Sequence, residues 1–366
     1  MKSQTSTIFV VFLVLVVLGL YILASVSYFK GIQKFEDGYF YLKRQLFYSF
    51  PIALMGFLFF YFFNYKYLKK LALIIFIASL ILLSLVFVPG LGQTKGQASC
   101  WINIFGINFQ PAEFAKIGFI IYLAAFFSAK GEKAKKWSDG FFPVLIIILI
   151  ISIFFVLQSD LGMLALFIVA TLGVYFLAKS SLTQVVLLLL LLLIGGYIMT
   201  SHVPYAKERL NTFLNPEDNL QGKSFQVNQA MIAISSGGLL GKGLGGSSQK
   251  LNVLPEVVSD SIFAILAEEL GFLASSLVIL IYLFLFAQIF ILASSISDQF
   301  GTLLLPGLGF FIFFQFVFNI GGNIGRLPLT GVPLPFMGYG GSNLLFLFSS
   351  IGIILNVSKY KQKKQA

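Results

Sequence analysis

The chain has 366 residues, of which 58% are hydrophobic, 43 are Phe and only 11% are charged. Soluble domains carry about 25% charged residues, so there is too little charge here to coat a water-soluble surface. The formal net charge of +11 has to be read by position along the chain, and no nucleic-acid partner is expected from it.

Crossing a hydrocarbon core of about 30 Å takes about 20 apolar helical residues. In chain order, uncharged runs cover 3–29, 45–65, 71–94, 140–159, 161–178, 180–206, 270–297, 299–325 and 327–358. A tenth span, 111–128, is interrupted by Glu113 and Lys116; charge inside a membrane helix is a functional signal before it is an objection. The expected fold is an all-α integral membrane protein of ten transmembrane helices. It forms one polytopic domain, 1–366, with a long extracytoplasmic loop, 201–259, between helices seven and eight. The first run outlasts the roughly 7 to 15 residues of a signal h-region and is kept as helix one. Cys100 and His202 are each alone, so neither an internal disulfide nor a His or Cys metal site is expected.

Orientation follows from Lys and Arg. With the N terminus inside, thirteen fall in cytoplasmic segments and six in short outer loops, with five more in the long loop. Long loops count little in this rule, so both termini are expected in the cytoplasm of a multi-pass plasma-membrane protein.

Three outward segments stand out. GQASCWINIFGINFQPAEFAK (96–116) starts a helix at Pro111, where the missing N–H costs nothing, and sets Glu113 and Lys116 on one face at i, i+3. They form either a mutually neutralising pair or, the sharper expectation, a site where Lys116 faces a wet cavity and meets a second charge. In the long loop, Phe225, Met231, Ile232 and Ile234 can bury one face of an interfacial helix, leaving Gln226 and Gln229 wet. The glycines between 237 and 246 then predict a mobile basic stretch. Ser236 and Gly243 exclude a phosphate-loop motif around Lys242. Finally, 319–343 packs seven Gly and three Pro into 25 residues of apolar sequence, and irregular backbone at that depth must line a protein cavity or mouth.

One carboxylate stands apart. Read as a helix, 254–271 puts Asp260 at the head of a stripe of Ala264, Ala267 and Gly271, with Glu268 about 80° away and Glu269 opposite. Asp260 is then a helix cap over a packing seam or a general base with space beneath it.

The blocks 96–116, QSDLGM (158–163), the RL…FLNPED run (209–218), GGLLGKGLGGSSQK…LPE…SD (237–260), EELG (268–271) and TGVPLPFMGYGGSN (330–343) resemble, in order and spacing over essentially the whole chain, the signature blocks of the FtsW/RodA proteins, the shape, elongation, division and sporulation family. The resemblance implies a peptidoglycan glycosyltransferase that polymerises lipid II on the outer face of the bacterial plasma membrane, during division or elongation. Its implied partners are a class B penicillin-binding protein and other divisome or elongasome membrane proteins. The family's essential aspartate falls on Asp260, with Glu256 in the same block. Its QPSE…K block falls on Gln110, Pro111, Glu113 and Lys116, and the aspartate of its QPDLG block on Asp160. FLNPED and FQPAEFAK lean towards the division branch and a septal location. Departures are Cys100 where a basic residue is common, so that one phosphate contact is either absent or supplied by Lys95, Ser261 for Phe, Gly338 for Ser, and Arg326 for an aliphatic residue.

The expected chemistry has Asp260 accept the proton of an acceptor sugar hydroxyl as undecaprenyl pyrophosphate leaves. Lys116, Arg209 and Lys250 are then candidates to hold the pyrophosphate charge. Magnesium or manganese is compatible with this; no residue pattern specifies either. The rival class is a lipid II flippase using the same groove. Ionisable groups along the whole path would favour the transporter, whereas Asp160, Arg209, Asp260 and Arg326 are expected together on the outer side.

Overall fold

The computed structural model describes residues 2–95, 98–104, 106–215, 223–251 and 254–361. In chain order its helices are α1 (Gln4–Phe35), α2 (Phe40–Phe62), α3 (Tyr65–Phe87), α4 (Pro111–Lys135), α5 (Trp137–Leu157), α6 (Leu161–Leu177), α7 (Leu182–His202), α8 (Pro204–Leu214), α9 (Lys223–Ser236), α10 (Ile262–Ala293), α11 (Gln299–Asn323) and α12 (Gly341–Ser358). Among the described residues, nine of these are long and apolar enough to cross a membrane, while α6 is apolar but has 17 residues. Helix starts follow local chemistry. Asn64, Asp160 and Asp298 accept backbone N–H groups of Lys66 (3.0 Å), Met163 (3.1 Å) and Gly301 (2.9 Å), satisfying donors a helix N terminus leaves open.

Helices α4, α11 and α12 form the interior. Of the apolar window of α12, 89% is buried within the protein, against 17% for α7. Thr5 Oγ1 donates to Ser358 Oγ at 3.2 Å, and the Tyr65 backbone N–H to Asn356 Oδ1 at 3.1 Å. Both ends of the bundle and the turn between α2 and α3 therefore share one face.

The opposite face departs from the all-helical expectation. β1 (Gly92–Lys95), β2 (Ala98–Ile104) and β3 (Ile107–Phe109) form an antiparallel meander between α3 and α4. Asn103 pairs with Asn108 in its register, and Gly106 takes the turn at φ +82°, which a side chain resists.

Two expected helices are shortened. The run 327–358 becomes helical only at Gly341, because Pro328, Pro333 and Pro335 cannot continue a hydrogen-bond ladder. The helix expected over 254–271 begins at Ile262. Pro255 and the positive φ of Glu256 (+48°) hold 254–261 in turns, so no helical stripe runs from Asp260 to Ala264. Gly271, at φ +75° and ψ −175°, then breaks α10 internally.

Candidate functional site

The break in α10 builds one wall of the site. At Gly271 the helix cannot supply its own backbone partners, and the glycine-rich run supplies them instead. Lys242 N and Gly243 N donate to the carbonyls of Glu268 and Glu269 at 3.0 Å each, and Phe272 N and Leu273 N donate to Gly238 O and Leu239 O at 2.9 and 3.2 Å. Gly241, at φ +82°, lies so close that an added Cβ would sit 2.2 Å from Glu269 O. An added Cβ on Gly237 or Gly246 would likewise meet a backbone oxygen, at 2.1 and 2.6 Å, so 237–246, expected as a mobile stretch, is tied to α10 by backbone hydrogen bonds and close approach. The side chains close the same seam. Lys242 pairs with Glu268 at 2.7 Å, and Lys250 with Glu269 at 2.6 Å. Glu268 also accepts from Ser247 Oγ and from Ser248 N at 3.2 Å.

Helix α9 packs by a face other than the expected one. Ala230, Ala233 and Gln226 are buried, while Met231 and Ile232 are exposed. Small alanines permit close approach, and Gln226 Nε2 has a partner in Ser261 Oγ at 3.0 Å, so its burial is satisfied. Ser261 thus holds α9 beside Asp260.

Asp260 lies one residue before the N-cap of α10, which is Ser261; it does not cap the helix. Its backbone carbonyl accepts from Asn319 Nδ2 at 2.8 Å and Asn323 Nδ2 at 2.9 Å. Among the described residues no hydrogen bond or ion pair engages its carboxylate. Burial pushes Asp260 up to about 7; the nearby Glu256 charge adds to the rise and Arg209 opposes it.

The segment 327–340 covers this turn. Tyr339 N donates to Val258 O at 2.8 Å, and a Cβ on Gly331 would lie 3.7 Å from Asp260 Oδ2. Its carbonyls are met by side chains: Gln315 Nε2 on Pro333 O at 3.0 Å, Asn319 Nδ2 on Val332 O at 2.9 Å, and the Tyr282 hydroxyl on Pro335 O. Irregular backbone is tolerated at depth because protein groups replace water. Gly338 accepts the crowding, with Ser259 O 3.3 Å from its would-be Cβ.

The remaining residues singled out in the sequence divide. Arg209, on α8, stacks on Tyr205 at 4.6 Å, and its buried Nε has no hydrogen-bond partner among the described residues. It borders a small pocket of about 60 Å³ walled by Phe213, Val227, Met231, Leu327 and Leu329. Asp160 caps α6, and its carboxylate is raised by burial against the pull of Met163 N–H and Arg209. Glu256 is exposed and accepts from Ser259 Oγ at 3.0 Å. Lys30, Lys250 and Glu256 line a separate cavity of about 290 Å³ with Phe225, Leu254 and Val257.

Lys116 is not at a wet surface. Its side chain is fully buried, 2.7 Å from Glu113, donates to Gln315 Oε1 at 3.1 Å and lies 4.1 Å from the centre of the Phe346 ring. Among the described residues neither Glu113 oxygen meets hydrogen-bond geometry, so its 2.7 Å contact with Lys116 is an ion pair. Cys100 is buried in β2, a place for a thiol that would cost a cation its hydration. Arg326 is exposed. The side chain of Lys95 and the Pro216–Asp218 part of FLNPED lie outside the described residues.

Sequence reasoning missed the buried amides Gln315, Asn319 and Asn323 on α11, and undervalued Glu268 and Glu269. The amides left a legible signal: carboxamides at i, i+4 and i+8 of an apolar helix share one face.

Comparison with known proteins gives a consistent picture. A family model described as cell cycle protein, spanning FtsW, RodA and SpoVE, matches residues 5–363. Stage V sporulation protein E of Bacillus subtilis (strain 168) is 33% identical over 353 residues, 96% of either chain. A probable peptidoglycan glycosyltransferase FtsW of Geobacter sp. (strain M18) is 34% identical over 345 residues, 94% of either chain. Among solved structures, a chain of a peptidoglycan synthase complex, described as coordinating polymerization and crosslinking, aligns with a TM-score of 0.78 at 25% identity, covering 96% of both chains. The rod shape determining protein RodA of Thermus thermophilus shares the fold, with a TM-score of 0.71 at 23% identity over 98% of this chain and 97% of that one.

Proposed function

This chain belongs to the FtsW, RodA and SpoVE family of cell cycle proteins, and on that footing we propose that it is a peptidoglycan glycosyltransferase of the bacterial plasma membrane, with lipid II as its substrate. Asp260 is the general base. It takes the proton of the acceptor's sugar hydroxyl as that oxygen bonds to the anomeric carbon of the donor, and undecaprenyl pyrophosphate leaves with the electron pair of the broken bond. One carboxylate suffices, because the pyrophosphate leaves as an anion without needing a proton.

The observation that carries this reading is the state of Asp260: a carboxylate without a donor among the described residues, beside the segment 327–340, and raised to about 7. A base titrating near the working pH combines the right protonation state with proton affinity. Arg209 is the first candidate for the pyrophosphate. Its Nε, without a hydrogen-bond partner among the described residues, suits a diphosphate. Asp160 and Glu256 shape the field at Asp260. Lys250, already paired, contributes through the wall it holds, and Glu113 with Lys116 through the packing beneath. Magnesium fits as an adjunct, since it takes one or two carboxylates and fills its shell with phosphate oxygens and water; among the described residues no three acidic, His or Cys side chains form a ready cage. The working partner is a class B penicillin-binding protein, and the division branch is the favoured assignment.

The test is incubation of the purified protein, alone and with a class B partner, with labelled lipid II. Glycan polymer from the wild type and none from Asp260→Asn supports the reading. Transport of lipid II across vesicles without polymer supports the flippase.

A further inference from the structure

Helix α11 carries three carboxamides on one face, Gln315, Asn319 and Asn323, all buried in an otherwise apolar helix. Amides in such a place cost free energy unless their donors and acceptors are met; among the described residues Asn323 Oδ1 has no partner, and it is the bonds donated by the three nitrogens that indicate what the amides are for. All the donated bonds go to two non-helical segments and to α11 and α12 themselves. Gln315 Nε2 holds Pro333 O and Asn343 Oδ1. Asn319 Nδ2 holds Asp260 O and Val332 O at 2.8 and 2.9 Å. Asn323 Nδ2 holds Asp260 O and Asn319 O at 2.9 and 2.8 Å. Because the partners of Asn319 and Asn323 are carbonyl oxygens, only the nitrogen of each amide can face them, which fixes the orientation of both groups.

The Asp260 carbonyl therefore receives two amide donors. Two donors on one oxygen fix the peptide plane that follows Cα of Asp260, and with it the direction of the side chain. Asn319 does more, since a single nitrogen ties the residue bearing the carboxylate to Val332, next to the Gly331 that faces Oδ2. The two sides of the reactive group are thus held at a common point. Gln315 extends the same line to the buried cation, accepting from Lys116 Nζ.

We propose that Asn319 and Asn323 are positioning residues for the general base, fixing the Asp260 turn so that its carboxylate meets the acceptor hydroxyl at a productive angle. This inference rests on the glycosyltransferase reading above. Neither asparagine touches substrate in this role. A displacement of about 1 Å at a reacting group can cost on the order of 100-fold in rate, so the effect should fall on kcat. The groups facing Asp260 are Glu256 from its own turn, Arg209 from α8 and Asp160 from the start of α6. None is altered when α11 is changed, so a shift in the pH dependence reports the turn itself.

The experiment measures lipid II polymerisation by full-length wild type, Asn319→Leu, Asn323→Leu and Asn323→Ser across pH 5 to 9, with thermal unfolding of each in the same detergent. The expected result is a fall in kcat of about 10- to 100-fold in folded variants, KM nearly unchanged, and an acid limb moved to lower pH as water reaches the loosened carboxylate. Full kcat in a folded variant would overturn the proposal, as would a loss that tracks the unfolded fraction with the acid limb unmoved. If the leucine variants do not fold, Asn323→Ser, which removes bulk and keeps a short donor, decides by the same criteria. A wild type that makes no polymer sinks the glycosyltransferase reading itself, an outcome distinct from active variants.

Discussion

Lys250 Nζ lies 2.6 Å from Glu269 Oε1, with both side chains almost wholly removed from water. The lysine belongs to the glycine-rich connection and the glutamate to the helix that Gly271 breaks, so this pair closes the seam between them. Ser25 Oγ, from α1, donates to the same carboxylate at 2.7 to 2.9 Å, which brings a third element into the joint.

Lys250→Met should therefore act on stability before binding. Removing one member of a buried pair leaves an uncompensated charge and costs about 3–5 kcal/mol. The double variant Lys250→Met, Glu269→Gln should recover much of that loss. Thermal unfolding of the two variants checks it; a stable single variant with a raised KM for lipid II would return Lys250 to the substrate.

Asp260 should set the acid limb of the rate. Its folded pKa is about 7, so the ionised base, and with it kcat, should rise as pH increases through about 7. Asp260→Asn should lower kcat by about 100-fold or more above pH 7, with the gap closing as pH falls and the wild type loses its own ionised base. Polymer yield against pH for both proteins measures this.

The same residue should oppose folding at neutral pH. Asp260 is raised above its ordinary value of 3.8, so between 3.8 and about 7 the folded state holds a proton that the unfolded state has released. Its stability contribution is fully present below 3.8 and is lost as pH rises through about 7. Asp260→Asn, which does not titrate, should gain in Tm relative to the wild type between pH 4 and pH 8. A difference in Tm that stays flat across that range would contradict the shift.

The pair beneath the site should behave as structure. Lys116→Met strands the Glu113 carboxylate and should cost about 3–5 kcal/mol, while Glu113→Gln combined with Lys116→Met should restore most of the Tm. If the double variant is as unstable as the single one, the contact of Lys116 with Gln315 carries the effect instead.

The glycine-rich wall should be rigid without substrate. Gly241→Ala meets both a positive φ and the Glu269 carbonyl 2.2 Å away, and should destabilise by more than the roughly 1 kcal/mol of a simple left-handed position. Gly195→Ala in α7, with nothing within 4 Å, should be neutral or mildly stabilising. Amide hydrogen exchange should show 241–243 and 272–273 protected in the absence of lipid II.

Much of this molecule can be read from the order of its residues. Hydropathy locates the apolar runs because a bilayer imposes a length on any segment that crosses it. The Pro and Gly content of 319–343 announces irregular backbone, and the LPE…SD block, rather than the helical stripe that the turns of 254–261 break, marks Asp260. These are local properties, each decided within one or two turns of chain. Pairing across the chain is not local. That Lys250 meets Glu269 rather than a phosphate, that Lys116 is sealed against Phe346, and that Asn319 grips the carbonyl of Asp260, 59 residues earlier, depends on how α10, α11 and the segment 327–340 pack. A buried polar group takes whichever partner the tertiary fold brings within about 3 Å.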